Sequence, residues 1–493
     1  MAEAHAIIWA DARPARITAS LWLHWRIPQR LSGAMTETPL DEPQPRRPRD
    51  PLLAAPILPT LARLTFPNLI AMLATAIVAI AETSYIGRLG ADALAAMALV
   101  FPAVMLMQMM SAGAMGGAVS SAVSRALGAG DVERAVALVL HALLIGAAAG
   151  LLFNLLFLAL GPALYRLLGG DGAVLALALS YSNVLFCGSV FIWLTNTFAS
   201  VLRGTGNMLA PSSTLFAVAL IQITVGGALG LGLGPFPRWG MPGVALGQVL
   251  AFAGGLLFLV WFLRSGRGRL TLAVRGVRLR REMFFDILKV GLLASLSPLQ
   301  SVLTILVLTS FVARFGTEAL AGYGIGVRLE FLLIPIAFAI GVASVPLVGM
   351  AVGAGDLVRA RRVAWTASGA GAVLLGAVGW VVAVFPDLWA MLFTQDDGVL
   401  EVARQYLRWA GPGFGFFGLG MCLYFASQGA GKVLGPVLTA TVRLALVAGG
   451  GLWLMVVGAP LWSLFALICA ALVIYGLATA AAVYLTRWGG QDD

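Results

Sequence analysis

The sequence predicts an all-α membrane protein with twelve transmembrane helices in two six-helix lobes related by a parallel internal repeat. Three observations carry that expectation. Of the 493 residues, 60% are apolar and 11% charged, whereas soluble domains sit near half apolar and a quarter charged. Twelve mostly apolar stretches are long enough to cross a bilayer, which takes roughly 20 residues each. The chain also repeats itself. Arg88–Met97 returns as Arg314–Tyr323 at an offset of 226, and Gly128–Asp131 as Gly353–Asp356 at 225. Gly204–Gly206 returns as Gly429–Gly431, Asp171–Leu175 as Asp396–Leu400 and Tyr181 as Tyr406, all at 225. Two copies of one helical unit suit a secondary transporter.

Taken in order, residues 1–56 are polar and rich in Pro and Arg, and are expected to be a disordered tail. Ile17–Trp25 is too short and too broken for a signal peptide, and Met35 is a candidate alternative start. The expected spans are 62–86, 94–122, 136–160, 174–202, 211–233 and 243–263 in an N-lobe, 57–263. A second set follows at 287–313, 320–349, 363–385, 400–427, 436–457 and 462–486 in a C-lobe, 287–487. Six spans per copy is even, so both copies enter from the same side and the repeat is parallel. The connector, 264–286, carries Arg264, Arg267, Arg269, Arg275, Arg278, Arg280 and Arg281. This places it in the cytoplasm, with both termini, by the positive-inside rule. The turns holding Arg125, Arg134, Arg203, Arg359, Arg361, Arg362 and Lys432 fall on the same side, and a bacterial inner membrane is expected.

The net charge of +10 lies in short stretches between apolar runs rather than on a basic face with aromatics, so nucleic acid is not indicated. Cys187, Cys422 and Cys469 lie in apolar stretches without CxxC spacing or a histidine partner, so neither a metal nor a disulfide framework is expected. No nucleophile–base pair, cofactor motif or Walker sequence is present, so enzymatic activity is not indicated. The two Gly-Ala-Gly-Asp turns do not follow strands and lack a following Gly-Lys. They are read as helix stops, with Asp131 and Asp356 capping the next helix.

The run from Leu64 to Ala96, including Pro67, Asn68 and Glu82, resembles the first helix and turn of the multidrug and toxic compound extrusion (MATE) family. So do Leu202–Asn207, Gly232–Gly240 and Gln428–Gly431, and the ordered likeness covers residues 57–487. The resemblance implies two lobes in a V, alternating access, and export of cationic amphipathic compounds driven by counterflow of protons or sodium. A monomer without a cofactor is expected. Two other readings stay open. A lipid-linked oligosaccharide flippase of related fold usually has fourteen helices and more buried cations; a non-transporting receptor or scaffold has no need of a membrane acid.

Ionisable side chains inside a membrane are costly and hence functional candidates. Two acids lie well inside the expected helices, Glu82 and Glu330. Glu82 stands where the family usually carries an aspartate, and is the expected proton or ion carrier. The bland alternative is a carboxylate capping a helix end. The resemblance adds Asn196 as its neighbour, Gln222 on the fifth helix, and Pro67 as a bend. Gly226 replaces a family acid, which favours protons over sodium unless carbonyl groups or Thr224 supply oxygens. Gln300 stands where many members carry a glutamate. Glu330, Arg328 and Arg443 are expected to form a buried ion pair fixing helix register, the alternative being a role in substrate recognition or proton movement. Tyr85, Gln108, Tyr181 and Gln300 are the substrate-binding candidates. Gln108 lies in the run Met105–Met110, whose flexible thioethers suit a shape-tolerant pocket as well as ordinary packing.

Overall fold

Membrane-length apolar segments have no water to satisfy their peptide groups, so each must close its own hydrogen bonds as helix. The computed structural model describes residues 51–271 and 277–488, and the described residues form helices and connecting turns. In the first lobe α1 is Ile57–Gly87, α2 runs Ala91–Gly128, α3 is Val132–Leu167, and α4 is the bent pair Gly172–Cys187 and Ser189–Gly204. Helix α5 is Leu209–Leu231 and α6 Met241–Arg264. In the second, α7 is Arg281–Val312, α8 Thr317–Gly353 and α9 Leu357–Val384. Helix α10 is Asp397–Ala410 continued by Phe414–Gly429, α11 Leu434–Val456 and α12 Leu461–Leu485.

Ten of these helices are apolar and long enough to span by themselves, and α4 makes an eleventh if its two pieces, bent by 48°, count as one. Helix α10 is the twelfth, and its first piece, Asp397–Ala410, is strongly amphipathic. Large apolar side chains such as Ile80, Leu155, Leu257 and Val373 face outward, as a lipid-facing surface requires.

The repeat reaches into backbone detail. Helix α4 breaks at Gly188 and α10 at Gly411–Gly413, and residues 188 and 413 differ by 225. The turns before α3 and α9 use Gly130 and Gly355, both with φ of 76°, a conformation that costs glycine little. Asp131 Oδ1 then accepts from Arg134 N, and Asp356 Oδ1 from Arg359 N. Gly146 packs against Thr197 where, 225 residues on, Gly371 packs against Cys422. Small residues of this kind let membrane helices approach closely.

One pair departs from the pattern. Helix α2 has 38 residues and α8 has 37. The surplus coincides with a π-helical stretch, Met109–Met115, inside α2. A π turn closes i→i+5 rather than i→i+4 hydrogen bonds, so it accommodates an extra residue without breaking the helix. The repeat offset falls from 226 before this stretch to 225 after it.

The lobes meet where the second half of α2 packs on α8 and α10. A Cβ on Gly128 would stand 2.1 Å from Met350 O, and one on Gly353 2.0 Å from Arg125 O. Ser121 Oγ donates to the carbonyl oxygens of Gln428 and Gly429, and Arg125 donates to Ser121 Oγ. Asp286 on α7 pairs with Arg125 at 2.6 Å and Arg134 at 3.1 Å.

Two expectations need correction. Residues 51–56, assigned to the tail on composition, are structured. Pro51–Ala54 is a helical turn, and Arg359 Nη2 donates to Leu52 O and Ala55 O. The seventh helix starts at Arg281 rather than 287, because its first turn is charged and gives no apolar signal. The rest of the expected tail, Met35 included, lies outside the described residues, as does Arg275.

Candidate functional site

Glu82 lies in the last third of α1, 8% exposed. A buried carboxyl needs a hydrogen-bond partner, and Gln222 on α5 supplies one, its Nε2 donating to Glu82 Oε1 over 2.7 Å. Both residues sit among mostly apolar neighbours on the buried faces of their helices, and the close packing of α1 and α5 brings them together. Beside this pair, the Tyr181 hydroxyl of α4 donates to Gln248 Oε1 of α6 over 3.3 Å. Tyr85 is half-buried, its ring against Gly227 of α5, where a Cβ would come within 2.9 Å.

Asn196 is buried, and its hydrogen-bond partners are on α2 rather than α1. Its Nδ2 donates to Ser111 Oγ over 2.8 Å and to Gln108 Oε1 over 3.3 Å. Ser111 belongs to the π stretch and Gln108 is the residue before it. The structure thus places Glu82 with Gln222, and Asn196 with Gln108 and Ser111. Pro67 lies within α1, followed by Asn68, whose Nδ2 donates to Ala339 O of α8 over 3.5 Å.

Gly226 faces α6: a Cβ on Gly247 would lie 2.3 Å from its Cα. Thr224, a candidate oxygen ligand, is exposed and donates to Leu220 O and Ile221 O of its own helix.

In the second lobe Gln300 Nε2 donates to Thr441 Oγ1 over 2.7 Å, linking α7 to α11. The expected ion pair is not formed. Among the described residues, no nitrogen of Arg328 or Arg443 comes within 4.0 Å of a Glu330 oxygen. Arg328 and Glu330 are two apart on one helix and point in different directions. Arg328 is exposed, 5.2 Å from the centre of the Phe393 ring. Glu330 instead accepts from the Tyr406 hydroxyl. Arg443, 7% exposed, donates from Nη2 to Ser301 Oγ over 3.2 Å and lies 4.9 Å from the centre of the Tyr475 ring.

Glu330, Arg443 and these tyrosines share a cavity of about 140 Å³, which the sequence reading did not anticipate. Apolar and aromatic residues from several helices build it, and such residues also fill ordinary cores. Gln248 and Ser111 were missed as well. A lone glutamine on an apolar membrane helix seeks a polar partner, and that signal was available for Gln248.

The model of the MatE family matches residues 67–226 and 294–450, most of both lobes. Among curated relatives, the FAD transporter of Shewanella oneidensis is 28% identical over 77% of this chain and 83% of its own length. The probable multidrug resistance protein YoeA of Bacillus subtilis is 26% identical over 72% and 77%. The multidrug export protein MepA of Staphylococcus aureus is 25% identical over 80% and 86%. Among solved structures, a MOP superfamily transporter from Pyrococcus furiosus, described with a binding pocket of reverse polarity, superposes with a TM-score of 0.82. It is 23% identical, over 88% of this chain and 97% of that one. The outward-facing conformation of a multidrug resistance MATE transporter gives 0.79, with 24% identity over 88% and 96%. The chain is a multi-pass membrane protein of the MatE family of transporters.

Proposed function

We propose that the protein is a secondary active exporter of cationic amphipathic organic compounds, exchanging them for protons by alternating access between its lobes. The observation that carries this reading is the buried Glu82–Gln222 pair. A carboxyl held among apolar helices with one amide donor can change its protonation as the lobes expose or cover it, and Gln222 serves either form, since an amide both donates and accepts. Protons are preferred to sodium because a sodium site wants several oxygen ligands. Gly226 brings none, and Thr224 is bonded to its own helix. Asn196, Gln108 and Ser111 form a second polar contact, placed to respond to movements of α2 and α4. The connector and both termini are assigned to the cytoplasm of a bacterial inner membrane by the arginine distribution, and the chain is taken to act alone.

The test is drug or dye efflux from vesicles with an imposed proton or sodium gradient, comparing the parent with Glu82→Gln at matched expression. Proton-driven efflux should fall at least tenfold in the variant. Undiminished efflux would remove Glu82 from coupling, and efflux driven by sodium alone would replace the proton.

A further inference from the structure

The second-lobe cavity is the repeat counterpart of the first-lobe polar cluster, with different chemistry. Glu82, Asn196 and Gln222 correspond to Leu308, Met421 and Val447 at the offsets of their segments, 226, 225 and 225. The starts of α6 and α12 differ by 220, which pairs Gln248 with Ile468. All four apolar counterparts line the cavity. Two charged side chains enter it from other positions, Arg443 one turn before Val447, and Glu330 from α8.

These charges do not neutralise each other by contact, since no ion pair joins them among the described residues. Arg443 Nε, buried, has no hydrogen-bond partner. A guanidinium held in a membrane without an anion in contact is costly. Glu330 has one oxygen engaged by Tyr406. The lining also carries the rings of Tyr323, Tyr424, Tyr475 and Phe417, with Met109 and Gly113 contributed by α2 of the first lobe. With about 140 Å³ of room, the cavity seats a six-membered ring, since a dry cavity of about 150 Å³ takes benzene, and because it is partly open the charged ends of a ligand need not fit inside that volume.

We propose that this cavity binds a small aromatic zwitterion, its carboxylate on Arg443, its ammonium group on Glu330 and its ring between the tyrosines. A simple organic cation leaves Arg443 unpartnered and brings a like charge beside it. A simple anion leaves Glu330 facing a like charge. A ligand carrying both signs satisfies both groups, and sites built around buried polar groups discriminate strongly against analogues lacking one of them. The proposal concerns a different lobe from Glu82 and stands or falls independently of proton coupling.

The test uses three probes with the same ring: phenylalanine, phenethylamine and 3-phenylpropionate. Binding to the purified full chain is measured by calorimetry. Phenylalanine should bind at least tenfold more tightly than either single-charge probe. Arg443→Gln should weaken phenylalanine and 3-phenylpropionate at least tenfold while sparing phenethylamine, and Glu330→Gln should weaken phenylalanine and phenethylamine while sparing 3-phenylpropionate. Should either variant fail to fold, Ala440→Leu keeps both charges and fills the cavity one turn from Arg443; it should weaken phenylalanine at least tenfold. Equal or absent binding of the three probes, or phenylalanine binding unchanged by the folded variants, would overturn the proposal.

Discussion

The two lobes share a backbone plan and differ in where they place polar groups. The first buries its acid on α1 and answers it with an amide from α5. The second has Leu308 and Val447 at those places and puts an acid on α8 and a base on α11 instead. The turns before α3 and α9, by contrast, match down to the φ of a glycine. Turn chemistry is set by helix geometry, which both copies must satisfy. Side chains within the lobes answer only to their neighbours, and there the copies have diverged.

The strongest way to probe that difference is to move chemistry between the lobes. Leu308→Glu places a carboxyl in the second lobe without the amide that serves Glu82. It should cost less than the about 3–5 kcal/mol of an unpaired buried charge, since the cavity it enters also holds the Arg443 guanidinium, read as thermal denaturation in detergent. Adding Val447→Gln should recover part of the loss, with a coupling of about 0.5–3 kcal/mol. Strict additivity would mean that the two positions do not face each other as Glu82 and Gln222 do.

Next come the close approaches where the lobes meet. Gly128→Val and Gly353→Val each drive a Cβ towards a carbonyl oxygen at 2.1 and 2.0 Å, an overpacking of about 1–3 kcal/mol. The two should act alike, and spin-label distances between α2 and α8 should lengthen at that end. Unchanged distances would show that the contact yields at little cost.

A smaller effect tests the π stretch. Deleting Met110 makes α2 as long as α8 and should let it wind as a regular helix. The fold should persist, and Asn196 should lose its simultaneous contact with Gln108 and Ser111, worth about 1–2 kcal/mol for two hydrogen bonds. A fully unfolded variant would count against the extra residue being merely accommodated. Smallest are the caps: Asp131→Ala and Asp356→Ala should each cost about 1 kcal/mol, and unequal losses would break the symmetry of the turns.

Much of the architecture was legible because repeated turns mark where helices end, and apolar length marks which cross a membrane. Glu82 was legible as a lone acid in such a run, and Gln222 through the family resemblance. Asn196 went to the wrong partner, since an amide inside a bundle can reach any of several helices and sequence does not fix its direction. Arg328 failed as a partner for Glu330 because closeness in sequence is not closeness on a helix surface. The cavity was hidden because its lining is ordinary apolar sequence until twelve helices are packed. Sequence registers displayed the one-residue change of offset, but only the backbone locates it at Met109–Met115.

That surplus residue also bears on the history of the chain. Copies made by duplication begin equal in length, so the residue was gained by the first or lost by the second after they separated. Its neighbourhood holds Ser111, which Asn196 engages, while the matching segment of α8 stays α-helical and carries Pro335 in place of the π turn. Here a change of length and a change of polar contacts fall at the same place, so one extra residue altered both the winding of a helix and what its neighbour can bond.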